Sequence, residues 1–321
     1  MTISVGIIGF GTIGRKIFHN LTNHSSFSVK CIYDSRPESD IGVTEGTELI
    51  LTVDDMFTRQ DIDIIYIGTP PASHLEYCRK AIEAGKIIWC EKPLATNIKE
   101  AEEVVALAES KQIPAFVNLP GATDSTTDTL ELLLSDISPQ SVKEIDMQIH
   151  FSQWPREWQK GASSWLSRKE EGGFFREVAT QFLFLQQRIF GEMHLTQTDV
   201  VYPDDISSET AVTAKYESLG VPVSIEASSD VVKDDYLQWT LVSSKKSIRL
   251  INWRQIEIND GSGWKEVHVS GENSQLEHII KLVNGEPNKL ATLREALDVQ
   301  KLVEATLKET TDELPPFLNS L

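Results

Sequence analysis

The sequence predicts an α/β protein with two domains: a doubly wound parallel sheet, followed by an α+β domain with an open, mostly antiparallel sheet. Two observations predict this arrangement. Over the first 120 residues, short apolar segments alternate with segments of helical period. From Val142 onward, strand-like segments follow one another with short turns between them, which is typical of antiparallel strands.

The first strand and helix are joined by a turn suited to a phosphate. Residues 3–8 are apolar and mostly β-branched, which predicts a strand buried on both faces. The turn that follows reads Gly9-Phe10-Gly11-Thr12-Ile13-Gly14, and helix-period apolar residues continue to about residue 22. The three glycines allow, in order, a tight turn, close approach of a pyrophosphate, and close packing of helix on strand. The phosphates are expected at the positive end of the helix, so the motif predicts a dinucleotide-binding Rossmann domain.

An acidic residue completes this motif. A second strand, at about 27–33, ends at Asp34, about 20 residues after the last glycine, where a carboxylate can accept hydrogen bonds from ribose hydroxyls. Its charge favours NAD, whereas the nearby Arg36 can stack on adenine or pair with a 2′-phosphate. NAD is therefore the expected cofactor and NADP the alternative. Ser35 is included in the site, and a turn or capping role for Asp34 stays open.

Further turns follow the next strands. A strand at 62–67 leads into Gly68-Thr69-Pro70-Pro71, and one at 86–90 leads into Glu91-Lys92-Pro93-Leu94. Ser73 and Asn97 are expected to cap the helices at about 74–84 and 97–109. Ligands bind beyond the carboxyl ends of parallel strands, so these turns are expected at one site with the glycine turn.

Lys92 is the candidate catalytic residue of the first domain. Its position at the ligand edge of the sheet lets the ammonium donate to a carbonyl oxygen that gains negative charge during reduction. A surface lysine without function is the alternative.

The second domain is predicted to contain eight strands. They are expected at 142–152, 195–202, 210–217, 221–228, 236–243, 247–252, 254–259 and 264–269. An amphipathic helix is expected at about 290–310. The predicted domains are therefore residues 1–120 and residues 121–321.

Composition and charge exclude several kinds of partner. The chain has 321 residues and a formal net charge of −18, which disfavours nucleic acid. No segment approaches the about 20 apolar residues that span a bilayer, and no signal peptide is recognised, so we expect no membrane partner and a cytoplasmic protein. Cys31, Cys78 and Cys90 lack the spacing of metal ligands and are interpreted as free thiols, with no metal site expected.

The motifs resemble those of the Gfo/Idh/MocA family, named after glucose–fructose oxidoreductase and inositol dehydrogenase. The resemblance rests on the glycine turn, Asp34, residues 68–74, and residues 85–90 leading into Glu91-Lys92-Pro93-Leu94; Trp165, Gly172-Gly173 and the segments 275–283 and 291–308 extend it. It implies a hydride-transferring NAD(P) enzyme for sugars, polyols or related small molecules. It also implies a cis Lys92–Pro93 bond, a helix near 290–310 that packs back on the first domain, and a homodimer or homotetramer formed through the second sheet.

The resemblance also implies the remaining site residues. Cofactor contacts are expected from Thr69, Pro70, Pro71, His74, Glu91, Lys92 and Asn118, in addition to the glycine turn and residues 34–36. For His74 a structural role stays open. Substrate contacts are expected from Lys92, Trp158, Arg176, Glu177 and Gln181; Arg156 is a further candidate for an acidic substrate group.

The catalytic pair of the family is altered in this chain. Family members carry an aspartate and, four residues later, a histidine that relays the hydroxyl proton; here these positions hold Glu177 and Gln181. A spacing of four residues places both side chains on one helical face. Glutamine forms hydrogen bonds but does not titrate near neutral pH.

This change leaves three functions open. The first is an NAD(P)-dependent oxidoreductase in which Lys92 supplies the proton, with Glu177 and Gln181 as the other catalytic candidates. The second is a dinucleotide-binding sensor or regulator without turnover. The third is a reductase of an imine-type substrate that needs no histidine.

Overall fold

A computed structural model describes residues 2–35, 46–230, 232–269, 271 and 274–308. The chain forms two compact units. The first contains Met1–Thr123 and Asn273–Asp298, and the second contains Asp124–Glu272 and Val299–Leu321. Arg36, one of the expected cofactor contacts, lies outside the described residues.

The first part of the first unit alternates strands and helices as predicted. Its elements are β1 (Ile3–Ile8), α1 (Thr12–Thr22), β2 (Phe27–Tyr33), β3 (Glu48–Leu49), α2 (Val53–Thr58), β4 (Ile64–Ile67), α3 (His74–Glu83), β5 (Ile87–Cys90), α4 (Ile98–Ser110) and β6 (Ala115–Val117). The sequence analysis did not anticipate β3 and α2. Asn97 caps α4 as expected, with its side chain accepting a hydrogen bond from the Glu100 N–H.

The second unit is built on a long, mostly antiparallel sheet and a few helices. Its elements up to residue 267 are α5 (Ser125–Leu134), β7 (Val142–Phe151), α6 (Ser163–Leu166), α7 (Thr180–Phe190), β8 (His194–Val201), β9 (Ala211–Ser218), β10 (Val221–Ser229), β11 (Tyr236–Ser243), β12 (Ser247–Ile251), β13 (Gln255–Asn259) and β14 (Trp264–Val267). All eight predicted strands are present, whereas α5 was not predicted.

The chain then returns to the first unit. The remaining elements are α8 (Gln275–Val283), β15 (Ala291–Thr292) and α9 (Leu293–Leu307). Ile279 and Leu290 belong to the same buried cluster as β1 and β2, and β15 pairs with β6. Apolar burial therefore assigns residues 273–298 to the first unit, whereas the sequence predicted a second domain running from 121 to the end.

The sheet of the first unit has the order β15-β6-β5-β4-β1-β2-β3. All its pairs are parallel except β15 with β6. The strand order reverses at β1, whose neighbours are β2 and β4, and crevices for ligands form at such a switch point, beyond the carboxyl ends of the strands. The glycine turn leaves β1 at this end.

The sheet of the second unit has the order β14-β13-β12-β11-β7-β10-β9-β8. Only the pair formed by β7 and β10 is parallel. Along β7 the side chains alternate: Ile145, Met147 and Ile149 are buried, while Asp146 and Gln148 are half-exposed on the other face. The predicted fold class is confirmed in both units.

One capping prediction was wrong. Ser73 precedes α3 but makes no capping hydrogen bond; its hydroxyl donates instead to Thr69 Oγ1 and to the Pro70 carbonyl. Within the described ranges, no helix is long and apolar enough to cross a membrane.

Candidate functional site

The three glycines of the first turn differ in what surrounds them. Gly9 has φ of +92°, and a Cβ there would lie 2.6 Å from the Gly68 carbonyl oxygen. A Cβ on Gly14 would overlap the Gly9 carbonyl oxygen. A Cβ on Gly11, in contrast, would meet nothing within 4 Å. Gly9 and Gly14 are therefore required by the fold, whereas the space at Gly11 is open, as a cradle for phosphate needs.

The amino end of α1 is not capped by a side chain. The first N–H groups of a helix lack intrahelical acceptors, and side chains usually compensate for them. Gly11 at the N-cap provides no side-chain hydrogen bond, and the first turn contains no acidic residue. α4, α5 and α8, in contrast, are capped by Asn97, Asp124 and Ser274. The residues therefore fit a bound pyrophosphate at α1.

Asp34 is attached directly to the glycine turn. Its Oδ2 accepts a hydrogen bond of 2.6 Å from the Phe10 N–H, and the side chain stays half-exposed. The Arg15 guanidinium carbon lies 4.9 Å from the centroid of the Phe10 ring. Ser35 follows as an exposed residue. The carboxylate thus lies beside the open cradle, where the sequence motif predicts the ribose.

His74 joins two of the predicted turns instead of facing a ligand. It is fully buried, with Nε2 2.7 Å from the Thr69 carbonyl oxygen and Nδ1 3.0 Å from that of Pro93. Burial lowers the pKa of its imidazole. The expected direct cofactor contact of His74 is therefore corrected: the residue holds together the turns that contain Pro70 and Lys92. Pro71 is buried too, whereas Thr69 and Pro70 are accessible.

The turn after β5 combines a buried acid with an accessible lysine. The Lys92–Pro93 bond is cis, as the resemblance implies, and Lys92 is half-exposed. The buried Glu91 accepts hydrogen bonds at Oε1 from Tyr66 Oη, at 2.8 Å, and from Asn118 Nδ2. Asn118 Oδ1 is buried and accepts no hydrogen bond from any described residue. Tyr66 was not anticipated, because its contribution depends on the pairing of β4 with β5.

Glu177 and Gln181 lie on one accessible strip. A single π-helical turn, Phe175–Ala179, leads directly into α7. From residue 172 to residue 186 every side chain is buried except Glu177 and Gln181. The structure therefore places the two substituted family positions together, and π-helical turns of this kind are frequent at functional sites.

A buried acid that the sequence analysis missed is hydrogen-bonded to the π-helical turn that contains Glu177. Glu209, 1% exposed, accepts a hydrogen bond of 2.7 Å from the Phe175 N–H, and a Cβ on Gly173 would overlap its carboxylate. Its Oε2 has no hydrogen-bond partner among the described residues. Burial raises the pKa of Glu209 to about 7. No local pattern reveals this residue, since the contact joins positions 34 residues apart.

Arg176 is a structural residue, which corrects the expected substrate contact. Its Nε and Nη2 donate to the two carboxylate oxygens of Glu304, at 2.7 and 2.9 Å. Its Nη1 donates to the carbonyl oxygens of Lys169 and Gly172. The guanidinium is buried and engaged on all three nitrogens, so it anchors the π-helical turn. Trp158, in contrast, is 53% exposed, with the Arg156 guanidinium carbon 4.9 Å from its ring centroid.

Lys92 belongs to the first unit, whereas Glu177 and Gln181 belong to the second. The three cysteines are buried free thiols. Among the residues that the structure describes, no three His, Cys, Asp or Glu side chains are grouped as a metal site would require.

Comparison with known proteins agrees with this geometry. Residues 3–119 match the model of the Gfo/Idh/MocA family, described as an oxidoreductase family with an NAD-binding Rossmann fold. The dinucleotide-binding domain of this chain belongs to the Gfo/Idh/MocA oxidoreductase family. The family predicted from the motifs and the expected cofactor class, NAD(P), are thereby confirmed.

Curated relatives match part of this chain and part of their own length. Inositol 2-dehydrogenase 3 of Saccharopolyspora erythraea is 33% identical over 109 residues, which are 33% of this chain and 32% of that protein. The matched segment thus spans about a third of the length of this relative.

Solved structures are similar over both units. The WlbA dehydrogenase of Bordetella pertussis, in complex with NADH and UDP-GlcNAcA, aligns with a TM-score of 0.80 and 18% identity over 95% of each chain. KijD10, a 3-ketoreductase from Actinomadura kijaniata in complex with NADP and TDP-benzene, aligns with a TM-score of 0.81 and 16% identity, covering 95% of this chain and 97% of its own. At these identities the likeness shows the shared fold.

Proposed function

We propose that the protein is an NAD(P)-dependent oxidoreductase that transfers a hydride between nicotinamide and a small sugar-, polyol- or related carbonyl or hydroxyl compound. The observation that carries this proposal is the open space at Gly11, at an uncapped helix N-terminus beside the Asp34 carboxylate. Membership of the first domain in an oxidoreductase family supports it further.

Lys92 is proposed as the proton donor and electrostatic catalyst. The bound nicotinamide supplies or accepts the hydride. A half-exposed ammonium after β5, at the carboxyl edge of the sheet, can donate a proton to the substrate oxygen during reduction and stabilise its developing charge. His74 lies against the Lys92 turn, with its Nδ1 3.0 Å from the Pro93 carbonyl oxygen.

Asp34 supports a preference for NAD over NADP as the cofactor. Asp34 is half-exposed beside the cradle, and a fixed negative charge there repels a 2′-phosphate. Asn118 is proposed to contact the nicotinamide, with its amide oriented by Glu91.

Glu177 and Gln181 are proposed to bind the substrate. Both are accessible on one strip, and together they supply hydrogen-bond donors and acceptors for hydroxyl groups. Gln181 cannot relay a proton, so the proton must come from Lys92, from Glu177 or from water. Trp158 adds an exposed ring to the proposed substrate surface.

We further propose a homo-oligomer assembled through the open face of the second sheet. That face carries half-exposed polar side chains along β7 and the exposed rings of Tyr236 and Trp264. A small molecule is the proposed substrate, and a cytoplasmic location is proposed with it. Analytical ultracentrifugation tests the assembly, since a monomeric mass at micromolar concentration contradicts it.

Gln181 favours a second candidate function. Without a titrating residue at this position, the chain would serve as a dinucleotide-binding sensor, or as a reductase of an imine-type substrate that needs no histidine. Retention of Lys92 is the observation that favours catalysis over the sensor.

The first test is a fluorescence titration of the purified protein with NADH and NADPH. We expect binding of both, with NADH tighter, and absence of binding contradicts the proposal. A screen of sugar, polyol and imine substrates then follows cofactor oxidation or reduction by the absorbance of the reduced nicotinamide. Multiple turnovers exclude the sensor.

Lys92→Ala tests the catalytic assignment. We expect turnover to fall by about a hundredfold or more, as for loss of a proton donor, with unchanged NADH affinity. Lys16→Ala, an exposed lysine on α1, is the control. Near-normal turnover of Lys92→Ala removes the role assigned to it.

A further inference from the structure

An arginine of the second unit has a well-fixed side chain beside the Glu177 strip. Arg156 follows β7, and its guanidinium carbon lies 4.9 Å from the ring centroid of Trp158, 5.2 Å from that of Phe151 and 5.8 Å from that of Trp154. Three aromatic rings therefore surround a cation that is only partly exposed to water.

A buried glutamine holds this arginine in one orientation. Gln159 is 4% exposed, and its Oε1 accepts hydrogen bonds from Arg156 Nε, at 2.9 Å, and from the Arg156 N–H, at 3.3 Å. The Nη1 and Nη2 nitrogens donate no hydrogen bond to any residue that the structure describes. The guanidinium thus presents a fixed pair of donors, which distinguishes it from Arg176, whose three nitrogens are all engaged.

The charges near Arg156 do not replace a hydrogen-bonded anion. Burial lowers the pKa of Arg156, while the negative charges of Glu177 and Asp235 oppose that shift. Asp235 uses its Oδ1 to accept hydrogen bonds from the N–H and hydroxyl of Ser152. Glu177 and Asp235 therefore act on Arg156 through space only. The outer nitrogens are not among the buried side-chain atoms without a partner, so they face solvent and are available to a bound anion.

We propose that the outer edge of the Arg156 guanidinium binds an oxyanion of the substrate, a carboxylate or a phosphate ester. This inference rests on the proposed oxidoreductase function and narrows its substrates to anionic sugars or related acids. Carboxylates and phosphates match the two parallel donors of a guanidinium, which a lysine cannot reproduce. The exposed ring of Trp158 lies against the same guanidinium and offers an apolar surface to the carbon skeleton.

The test uses the full-length protein loaded with NADH and three probes of similar size. D-glucuronate carries a carboxylate, D-glucose 6-phosphate carries a phosphate ester, and D-glucose is the neutral reference. Calorimetric titration measures the affinity of each. We expect at least one of the anionic sugars to bind about tenfold tighter than glucose or better, and the tighter of the two identifies the oxyanion.

Variants of Arg156 show whether the preference depends on the guanidinium fork. Arg156→Gln is expected to abolish the tighter binding of the anionic sugar relative to glucose, and Arg156→Lys is expected to weaken it. NADH affinity is expected to be unchanged in both variants. Arg188→Gln, which removes another ring-stacked arginine of the same unit, is the control and is expected to keep it. The thermal midpoint of each variant detects loss of the fold.

Two results overturn the proposal while NADH binding stands. One is glucose binding as tightly as both anionic sugars, or no sugar binding at all. The other is a preference that survives in folded Arg156→Gln. Failure of the oxidoreductase function is a different result, because it appears as absent NADH binding before any sugar is added, or as absent turnover although NADH and the anionic sugar both bind.

Discussion

The amino ends of α1 and of the helix that contains Glu177 both have a carboxylate hydrogen-bonded to a backbone N–H, but they differ in how much space is left beside the helix end. In each, a carboxylate accepts a hydrogen bond from the N–H of a phenylalanine that follows a glycine of positive φ. Asp34 accepts from Phe10, one residue after Gly9, at 2.6 Å, and Glu209 accepts from Phe175, two residues after Gly173, at 2.7 Å. Asp34 is half-exposed beside open space at Gly11, whereas Glu209 is 1% exposed and fills the space at Gly173.

The difference teaches that available space decides what a helix terminus does. Where the glycine faces open space, the N–H groups and the positive end of the helix stay available for a bound anion. Where an internal carboxylate fills that space, the same groups hold an accessible strip in place. The following predictions test this comparison, from the largest expected effect to the smallest.

Gly173→Ala tests the helix end at which Glu209 occupies the space beside the glycine, and it is expected to cause the largest loss of stability. The φ of +100° strains any L side chain, and the new Cβ overlaps the Glu209 carboxylate. Together these penalties are expected to lower the free energy of unfolding by about 4 kcal/mol, measured by urea denaturation. Gly220→Ala, with φ of +78° and nothing within 4 Å, isolates the strain at about 1 kcal/mol. Equal losses in both variants contradict the filled space.

Glu209→Gln tests the charge of the buried acid. Because the folded pKa of about 7 exceeds the ordinary value of 4.5, the folded state binds more protons between these values. The stabilisation is therefore complete at low pH and is lost as pH rises through about 7. From about pH 5.5 to about pH 8, wild type is expected to lose about 2 kcal/mol relative to Glu209→Gln.

The same pH series on an exposed acid controls for general charge effects. Glu217→Gln, on an exposed position of β9, is expected to follow the wild-type curve. A Glu209→Gln curve parallel to that of the wild type shows that Glu209 does not titrate in this range and contradicts the assignment.

Gly11→Ala tests the amino end of α1, where the space beside the glycine is open. The methyl group meets nothing in the protein, so the thermal midpoint is expected to be unchanged. It occupies the space proposed for the pyrophosphate, and we expect NADH affinity to fall at least about tenfold, or about 1.4 kcal/mol. Gly161→Ala, also without neighbours within 4 Å, is the matched control. Wild-type NADH affinity in Gly11→Ala removes the cradle from the site.

Asp34→Asn tests whether the negative charge of Asp34 determines the preference for NADH over NADPH. The amide oxygen can still accept from Phe10, but the repulsion of a 2′-phosphate is lost. The NADH preference over NADPH is expected to fall about fivefold, or about 1 kcal/mol, in paired titrations. Asp63→Asn, which removes the charge of a carboxylate bonded to the Ser4 N–H, is expected to keep it. An unchanged ratio in Asp34→Asn assigns the preference elsewhere.

Sequence reasoning predicted local features of the chain better than contacts between residues that are far apart in the sequence. The bounds of β2 and the capping of α4 by Asn97 followed from local patterns, because each depends on neighbouring residues. Tyr66 and Glu209 did not, because their hydrogen bonds join residues 25 and 34 positions apart. Arg176 shows the opposite error: a charged residue in a site motif was interpreted as a substrate contact, although Glu304 engages it from a distant helix.

The sequence by itself determined most of the strands and helices and their order, the glycine turn with Asp34, the Lys92 turn, and the spacing that places Glu177 and Gln181 on one helical face. These features depend on periodicity and on spacing along the chain, which the sequence displays directly. Only the tertiary structure decided which arginine is engaged, which carboxylate is buried and which glycine faces open space. Those properties depend on which distant residues fill the volume around a side chain, and local sequence contains no record of that volume.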